Sequence, residues 1–154
     1  MSLTSYLVRL LHSISKAKWL RPCRLTCNFS RKRPDIPTFI ITLGVALRSL
    51  DKLEAAVACH KRALVYGLDA GNVYSNLGNS LRELARFDEA EIAHKRAVEL
   101  SEESASAIQN AGLVDRDLCR DAAAMEKYDR ALKIDPDYVD CHWDRSLVHL
   151  RNRN

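Results

Sequence analysis

Few residues in this sequence would interrupt a helix, since glycine occurs five times and proline four times in 154 residues. Both residues mark turns, so their scarcity disfavours a sandwich or barrel and favours helices joined by short connections. Long hydrophobic runs are also missing, because no stretch approaches the roughly 18 uninterrupted apolar residues of a membrane span. The hydrophobic fraction of 47% is nevertheless ordinary. We therefore expect one soluble helical domain.

The sequence also lacks the short motifs that carry catalysis or metal binding. It contains no glycine-rich phosphate loop, no HExxH and no nucleophile elbow. Its five cysteines form neither a CxxC pair nor an evenly spaced framework; they are Cys23, Cys27, Cys59, Cys119 and Cys141. We interpret them as free thiols, which suit a reducing, cytoplasmic compartment. No enzymatic activity, cofactor or metal site is predicted.

Acidic residues are missing from the first 34 positions, which gives the chain an uneven charge. Residues 1–36 carry eight basic residues and one acid, Asp35, whereas residues 37–154 carry sixteen basic and nineteen acidic residues. The net charge of +4 therefore reflects the leader and not the remainder. Although residues 1–36 have the composition of an organelle transit peptide, we favour a poorly ordered leader. The rest offers no basic recognition face, so no nucleic-acid partner is predicted.

A period of 34 residues organises the chain from Pro37 onward. Three columns of small or apolar residues recur at this interval: Leu43-Gly44 with Leu77-Gly78 and Ala111-Gly112, Ala56 with Ala90 and Ala124, and Ala63 with Ala97 and Ala131. In the central unit, residues 71–104, apolar periodicity over 73–84 and 87–100 predicts a helical hairpin. Such a period predicts an array of stacked hairpins.

This repeat resembles the tetratricopeptide repeat family. The resemblance rests on an early aromatic, Leu-Gly, a later aliphatic, two alanines and a closing proline, found here at Tyr74, Leu77-Gly78, Leu81, Ala90, Ala97, Tyr128, Ala131 and Pro136. It implies an all-α, right-handed solenoid of antiparallel helix–turn–helix repeats. Its units are three complete repeats and a partial fourth, at residues 37–70, 71–104, 105–138 and 139–154.

Two departures from the family pattern concern histidine. His60 and His94 stand in the aromatic column that Tyr128 occupies, and we expect packed imidazoles there instead of metal ligands. At the helix starts, Asp51 with Glu54 predicts a capping box. The terminal helix of an array needs a polar outer face, and the candidates for it are Asp140, Asp144, Arg145, His149 and Arg151. The alternative is a chain cut within its fourth repeat.

By the same resemblance, the first helix of each unit lines a concave groove for an extended or helical partner segment. These helices are expected at 38–50, 72–84 and 106–118, and the predicted groove residues are Thr42, Arg48, Asn72, Asn76, Asn79, Arg82, Gln109, Asn110 and Arg116. Amide side chains can pair with a peptide backbone without reading its sequence. The arginines recur at 34 residues and could meet carboxylates of an acidic segment, or could instead bridge neighbouring repeats or lie in solvent.

Chaperone-binding members of the family hold two carboxylates in a clamp of Lys, Asn and Arg. Asn79 and Asn110 fit its asparagine places, but Ile41, Val45 and Ser106 stand where polar or basic residues are expected, so no chaperone partner is assigned. The sequence thus predicts a non-catalytic protein-interaction module. The alternative is the recruiting arm of a larger enzyme, because similar repeats precede glycosyltransferase domains, and an asparagine column resembles the O-linked N-acetylglucosamine transferase family.

Overall fold

Seven α-helices make up the described part of the chain. The computed structural model describes residues 35–67 and 70–153, with side chains from residue 38 onward. The helices are α1 Asp35–Ser49, α2 Leu53–Val65, α3 Gly71–Glu83, α4 Phe87–Leu100, α5 Ala105–Asp117, α6 Asp121–Ile134 and α7 Val139–Arg151. None of them, over these two ranges, is both long and apolar enough to cross a membrane. Residues 1–34 of the predicted leader lie outside the described residues, while Asp35 and Ile36 already belong to α1.

The helices stack as consecutive hairpins. Within the units α1 packs on α2, α3 on α4 and α5 on α6, and each of the second helices α2, α4 and α6 also contacts the first helix of the next unit. The first helices α1, α3, α5 and α7 contact one another in sequence along the array. This arrangement confirms the predicted all-α solenoid.

The alanine columns form the centre of the hairpins. All six alanines at the 34-residue interval are completely buried, namely Ala56, Ala63, Ala90, Ala97, Ala124 and Ala131. Their small side chains allow neighbouring helices to pack closely. Larger apolar side chains, including Leu81, Ile108 and Val114, fill the space around them and are almost completely buried.

In each unit a glycine of the first helix lies against a ring of the second helix. The nearest ring atom is very close to the position that a glycine Cβ would take: 2.5 Å from His60 to Gly44, 2.6 Å from His94 to Gly78 and 2.7 Å from Tyr128 to Gly112. A side chain at any of these glycines would displace the ring or separate the helices. All three rings are completely buried, which confirms that the two histidines occupy packing positions.

The first helices of the three complete units end in the same turn. The residue at each turn has positive φ, 58° at Asp51, 56° at Ala85 and 58° at Cys119. The next backbone N–H donates to a carbonyl five residues earlier, as in Arg86 N to Leu81 O at 2.9 Å, which is the Schellman pattern. The predicted capping box at Asp51 is therefore wrong, because Lys52 is the N-cap of α2 and makes no side-chain cap bond. Asp51 ends α1.

The last helix exposes part of the polar face predicted for it. Asp140, His149 and Arg151 are exposed and Arg145 is partly exposed, whereas Asp144 is only 9% exposed, and Arg151 Nε also donates to Asp121 Oδ2 at 3.1 Å. Four large apolar side chains of α7 are exposed as well, Val139, Trp143, Leu147 and Leu150. The helix is thus anchored through polar contacts and leaves an apolar stripe uncovered.

The positive φ of Ala85 predicts that the Ala85→Gly variant is more stable. A Cβ in the left-handed region costs roughly 1–2 kcal/mol, part of which is offset by the greater entropy of glycine in the unfolded chain. We expect a net gain of about 0.5–1 kcal/mol in urea unfolding. Ala123→Gly inside α6 is the control and should cost about 1 kcal/mol. A loss of stability in Ala85→Gly would contradict the assigned turn.

The buried histidines make stability depend on pH. Burial, with smaller contributions from the positive charges of Arg82 and Lys127, lowers the pKa of His94 from 6.5 to about 4. Burial and Arg48 lower the pKa of His60 to about 4 as well. No hydrogen-bond partner for either nitrogen of these rings is found among the described residues. Since the unfolded chain binds protons more readily, stability is fully present above pH 6.5 and is lost as the pH falls towards 4.

His94→Phe should remove part of this pH dependence, because phenylalanine fills the ring column and carries no titratable nitrogen. The lowered pKa of His94 corresponds to a destabilisation of about 3 kcal/mol between pH 7 and pH 4, and that of His60 to a smaller one. Urea unfolding at several pH values should therefore show a flatter profile for His94→Phe than for the wild type. The exposed His149 is the control position, and His149→Gln should follow the wild-type profile. Parallel profiles for His94→Phe and the wild type would contradict burial of a neutral His94.

Candidate functional site

A hollow of about 410 Å³ lies on the surface formed by α3, α5 and α7. It is lined by polar side chains, among them Arg82, Asn110 and Arg116, and by apolar or aromatic ones, Leu113, Tyr138 and Trp143. We call the surface of the first helices α1, α3, α5 and α7 on this side the groove. The hollow is its C-terminal half.

Each predicted groove arginine is paired with a carboxylate further along the array. Arg48 Nη1 lies 2.8 Å from Glu83 Oε1, Arg82 Nη1 lies 2.7 Å from Asp117 Oδ2, and Arg116 Nη1 lies 2.5 Å from Asp144 Oδ1. Every pair joins the first helix of one unit to the first helix of the next. The arginines therefore bridge neighbouring repeats in this structure. Each positive charge of the column is balanced by a nearby carboxylate.

A buried network fixes α7 to α5. Gln109 is 5% exposed; its Nε2 donates to Asp144 Oδ2 at 2.6 Å, and its Oε1 accepts from the Tyr138 hydroxyl at 2.9 Å. The other oxygen of Asp144 accepts from Arg116. Both carboxylate oxygens and the Gln109 amide are therefore engaged within the fold. Gln109, predicted as a partner-binding residue, uses its amide for internal contacts.

The asparagines of the groove differ in what they contact. Asn110 Nδ2 donates to Ser75 Oγ of the preceding unit at 3.1 Å. The contact between Asp144 and Gln109 is equivalent, since it also joins residues 35 positions apart on successive first helices. One unit earlier, Ile41 occupies the position that corresponds to Ser75 and Gln109, and it offers no polar atom in its side chain. Asn76 is partly exposed and has no side-chain hydrogen bond within the described part of the chain. The middle of the groove thus contains a free amide.

The remaining predicted residues lie near Asn76 or on α1. Asn72 is exposed, and Asn79 is partly buried, with an Oδ1 that lacks a hydrogen-bond partner among the described residues. Thr42 is exposed and donates its hydroxyl to the Thr38 carbonyl oxygen of its own helix at 3.0 Å. The hollow brings together Arg82, Gln109, Asn110 and Arg116, and the other predicted residues lie outside its lining. Their part in partner binding stays a prediction.

Sequence reasoning missed the aromatic lining of the hollow. Tyr138 and Trp143 both line it, and Trp143 is 67% exposed. Trp143 stands 34 residues after Gln109, and this replacement of an amide by a large exposed ring could have drawn attention to the position. The apolar contribution matters because aromatic rings supply large contact area to bound segments.

The cysteines of the described chain show no sign of activation. Cys59, Cys119 and Cys141 are free, and burial, with the nearby charge of Asp144, raises the pKa of Cys141 to about 11. Burial also raises the pKa of Cys59. The Cys59 and Cys141 thiols are therefore protonated at neutral pH and are poor nucleophiles. Within the same residues, no three His, Cys, Asp or Glu side chains form a cluster that could hold a metal ion.

The arginine pairs should contribute unequally to stability. Arg116→Gln leaves the buried Asp144 with one partner and should cost about 1–3 kcal/mol. Arg48→Gln breaks a pair in which both side chains are about one-third exposed, and it should cost less than about 1 kcal/mol. Urea unfolding of both variants measures the difference. Equal losses would contradict the special role of the Asp144 network.

A family model described as tetratricopeptide repeat matches residues 71–107, whereas no curated protein matches the sequence. Among solved structures, the first tetratricopeptide repeat domain of Spaghetti (RPAP3), bound to the HSP90 peptide SRMEEVD, has a TM-score of 0.72 at 16% identity. The alignment covers 79% of this chain and 97% of that one.

Two further solved structures have similar scores. The Sgt2 domain from Aspergillus fumigatus has a TM-score of 0.72 at 15% identity, covering 79% of this chain and 84% of its own. The Arabidopsis OM64 domain has a TM-score of 0.68 at 18% identity, covering 74% and 94%. Identities this low show the fold alone. The family model matches the central unit, residues 71–107, and the solved structures show that the chain has the fold of tetratricopeptide repeat domains.

Proposed function

We propose that this chain is a non-catalytic protein-interaction module that holds an extended segment of a partner in the groove. The observation that carries the proposal is the free amide of Asn76, with the exposed Asn72 one turn before it on the same side of α3. Asn79 follows one turn later, but its Oδ1 is buried. An asparagine amide both donates and accepts, so it can pair with the N–H and C=O of an extended backbone.

The arginine pairs change what kind of segment the groove favours. Each arginine of the column already has a carboxylate within 2.8 Å, so an acidic partner would have to share or replace that carboxylate. Backbone recognition by the asparagines has no such competitor. We therefore assign the main polar contacts to the partner backbone, and give acidic side chains a secondary part at the arginines.

The aromatic end of the groove would add an apolar contact. Trp143 and Tyr138 line the hollow beside Leu113, and they suit an aliphatic or aromatic side chain of the bound segment. Because the amides and the hollow lie on successive first helices, a single extended segment could contact both. The apolar contacts in the hollow would then supply most of the affinity, and the hydrogen bonds of the amides would fix the register of the bound segment.

The solved complex of Spaghetti contains the acidic HSP90 peptide SRMEEVD, and that peptide belongs to that protein. In this chain Ile41, Val45 and Ser106 stand at clamp places where the resemblance implies polar or basic residues. We therefore propose a partner other than a chaperone tail. The peptide SRMEEVD is the natural comparator for a binding experiment.

A phage-displayed library of random peptides, selected on the full chain, tests the proposal. Selected peptides should bind Asn76→Ala at least tenfold more weakly than the wild type, since a lost hydrogen bond costs about 1.4 kcal/mol. Calorimetric titration gives the dissociation constants. The matched control is Ile92→Ala, because Ile92 is 71% exposed on the second helix α4, away from the groove.

SRMEEVD should bind with a dissociation constant weaker than about 1 mM. Equal affinity of the selected peptides for Asn76→Ala and the wild type would contradict groove binding through the amides. Loss of affinity in Ile92→Ala would place the site on the second helices instead. Circular dichroism of each variant shows whether it has kept the helical fold.

A further inference from the structure

An exposed apolar stripe runs along α7. The exposed fractions are 74% for Val139, 67% for Trp143, 38% for Leu147 and 61% for Leu150. Their spacing of four, four and three residues keeps them on one side of the helix over about 17 Å. A contiguous stripe of this kind differs from isolated exposed leucines and marks a contact surface.

The repeat register shows which side of α7 carries the stripe. Trp143, Leu147 and Leu150 stand 34 residues after Gln109, Leu113 and Arg116, and both Gln109 and Arg116 contact the next first helix through Asp144. The stripe is thus on the side of α7 that, in the earlier units, faces the first helix of the next unit. The positions that pack against a second helix in earlier units are polar in α7: His142, Arg145, Ser146 and His149. The stripe therefore suits a helix placed beside α7.

The charges of α7 favour a second copy of the same helix running the opposite way. Asp140 lies in its first turn, and Arg151, which already pairs with Asp121, lies in its last turn and is followed by the exposed Arg153. An antiparallel pair of α7 helices brings the acidic end of each copy to the basic end of the other, whereas a parallel pair brings like charges together. The two helix dipoles also oppose each other favourably in the antiparallel pair.

The apolar side chains are also complementary in this orientation. A twofold axis near Arg145 places Trp143 of one copy against Leu147 of the other, and Val139 near Leu150. A large ring then packs against a smaller branched side chain twice, once on each side of the axis. Such an isologous contact closes at two copies.

We propose that α7 is a self-association surface on which a second copy of this chain docks its own α7 in antiparallel orientation. One helix face buries less than the roughly 800 Å² per partner of a standard interface. The dimer is therefore weak, with a dissociation constant in the range of about 1 µM to 1 mM. Trp143, large and central in the stripe, carries most of the affinity.

Sedimentation equilibrium of the full chain up to about 1 mM tests the proposal. The wild type should show concentration-dependent dimerisation, and Trp143→Glu should weaken it by at least about thirtyfold. Ile92→Glu is the matched control, because Ile92 is 71% exposed on α4 and lies outside the stripe; its dimerisation should equal that of the wild type. A monomeric wild type at this concentration overturns the proposal. So does equal dimerisation of Trp143→Glu and the wild type.

Asp140→Asn tests the orientation. In the antiparallel pair it removes an attraction to the basic end of the second copy's α7, where Arg151 and Arg153 lie, so the dissociation constant should rise about two- to fivefold in low salt. In a parallel pair it would relieve a repulsion, and a tighter dimer would overturn the antiparallel arrangement. If the wild type is monomeric and Trp143→Glu no longer binds the peptides selected by phage display, Trp143 belongs to the groove and self-association is overturned.

Discussion

The close contact between a glycine and a ring within each hairpin sets the spacing of the whole array. Gly78 against His94 is the central example, and Gly44 with His60 and Gly112 with Tyr128 repeat it. A Cβ at the glycine would occupy space that the ring already fills, so the two helices can approach only because it is missing. The buried alanines then bring the remaining faces together. Either an imidazole or a phenol ring can occupy this column, because both rings are flat and pack against the glycine. Where the ring is an imidazole, its nitrogens have no hydrogen-bond partner among the described residues.

Polar contacts between neighbouring first helices add a second layer of order. The arginine pairs and the Gln109 and Asp144 network join units along the groove, at the same places where a peptide-binding surface would present charge. The groove is consequently less basic than its composition implies. Among the described residues, the amide of Asn76 has no side-chain partner, and an aromatic hollow lies near Trp143. These two features support the proposal that backbone and apolar contacts matter more than charge in partner binding.

One buried pair shows how the array tolerates departure from its own pattern. Asp115 stands where Leu47 and Leu81 stand in earlier units, and it is 3% exposed. Lys127 Nζ donates to this carboxylate, and Lys127 stands in the column of Ala93. A buried carboxylate without a cation is strongly unfavourable, so the two departures compensate each other across the third hairpin. The lysine also adds to the positive charge that keeps His94 neutral.

The sequence by itself determined the hairpins, because a 34-residue period with small residues at fixed positions is typical of stacked helical hairpins. The predicted span 87–100 of a second helix coincides with α4. The first helices α1, α3 and α5 each end one residue before their predicted ends, at positive-φ turns that propensity does not reveal. Only the tertiary structure separated Asn76 from Asn110. Both share one column, but Asn110 meets Ser75 and Asn76 stands one unit after Ile41. Which amide is free depends on a side chain 35 residues away, and that residue becomes a neighbour only when the units stack.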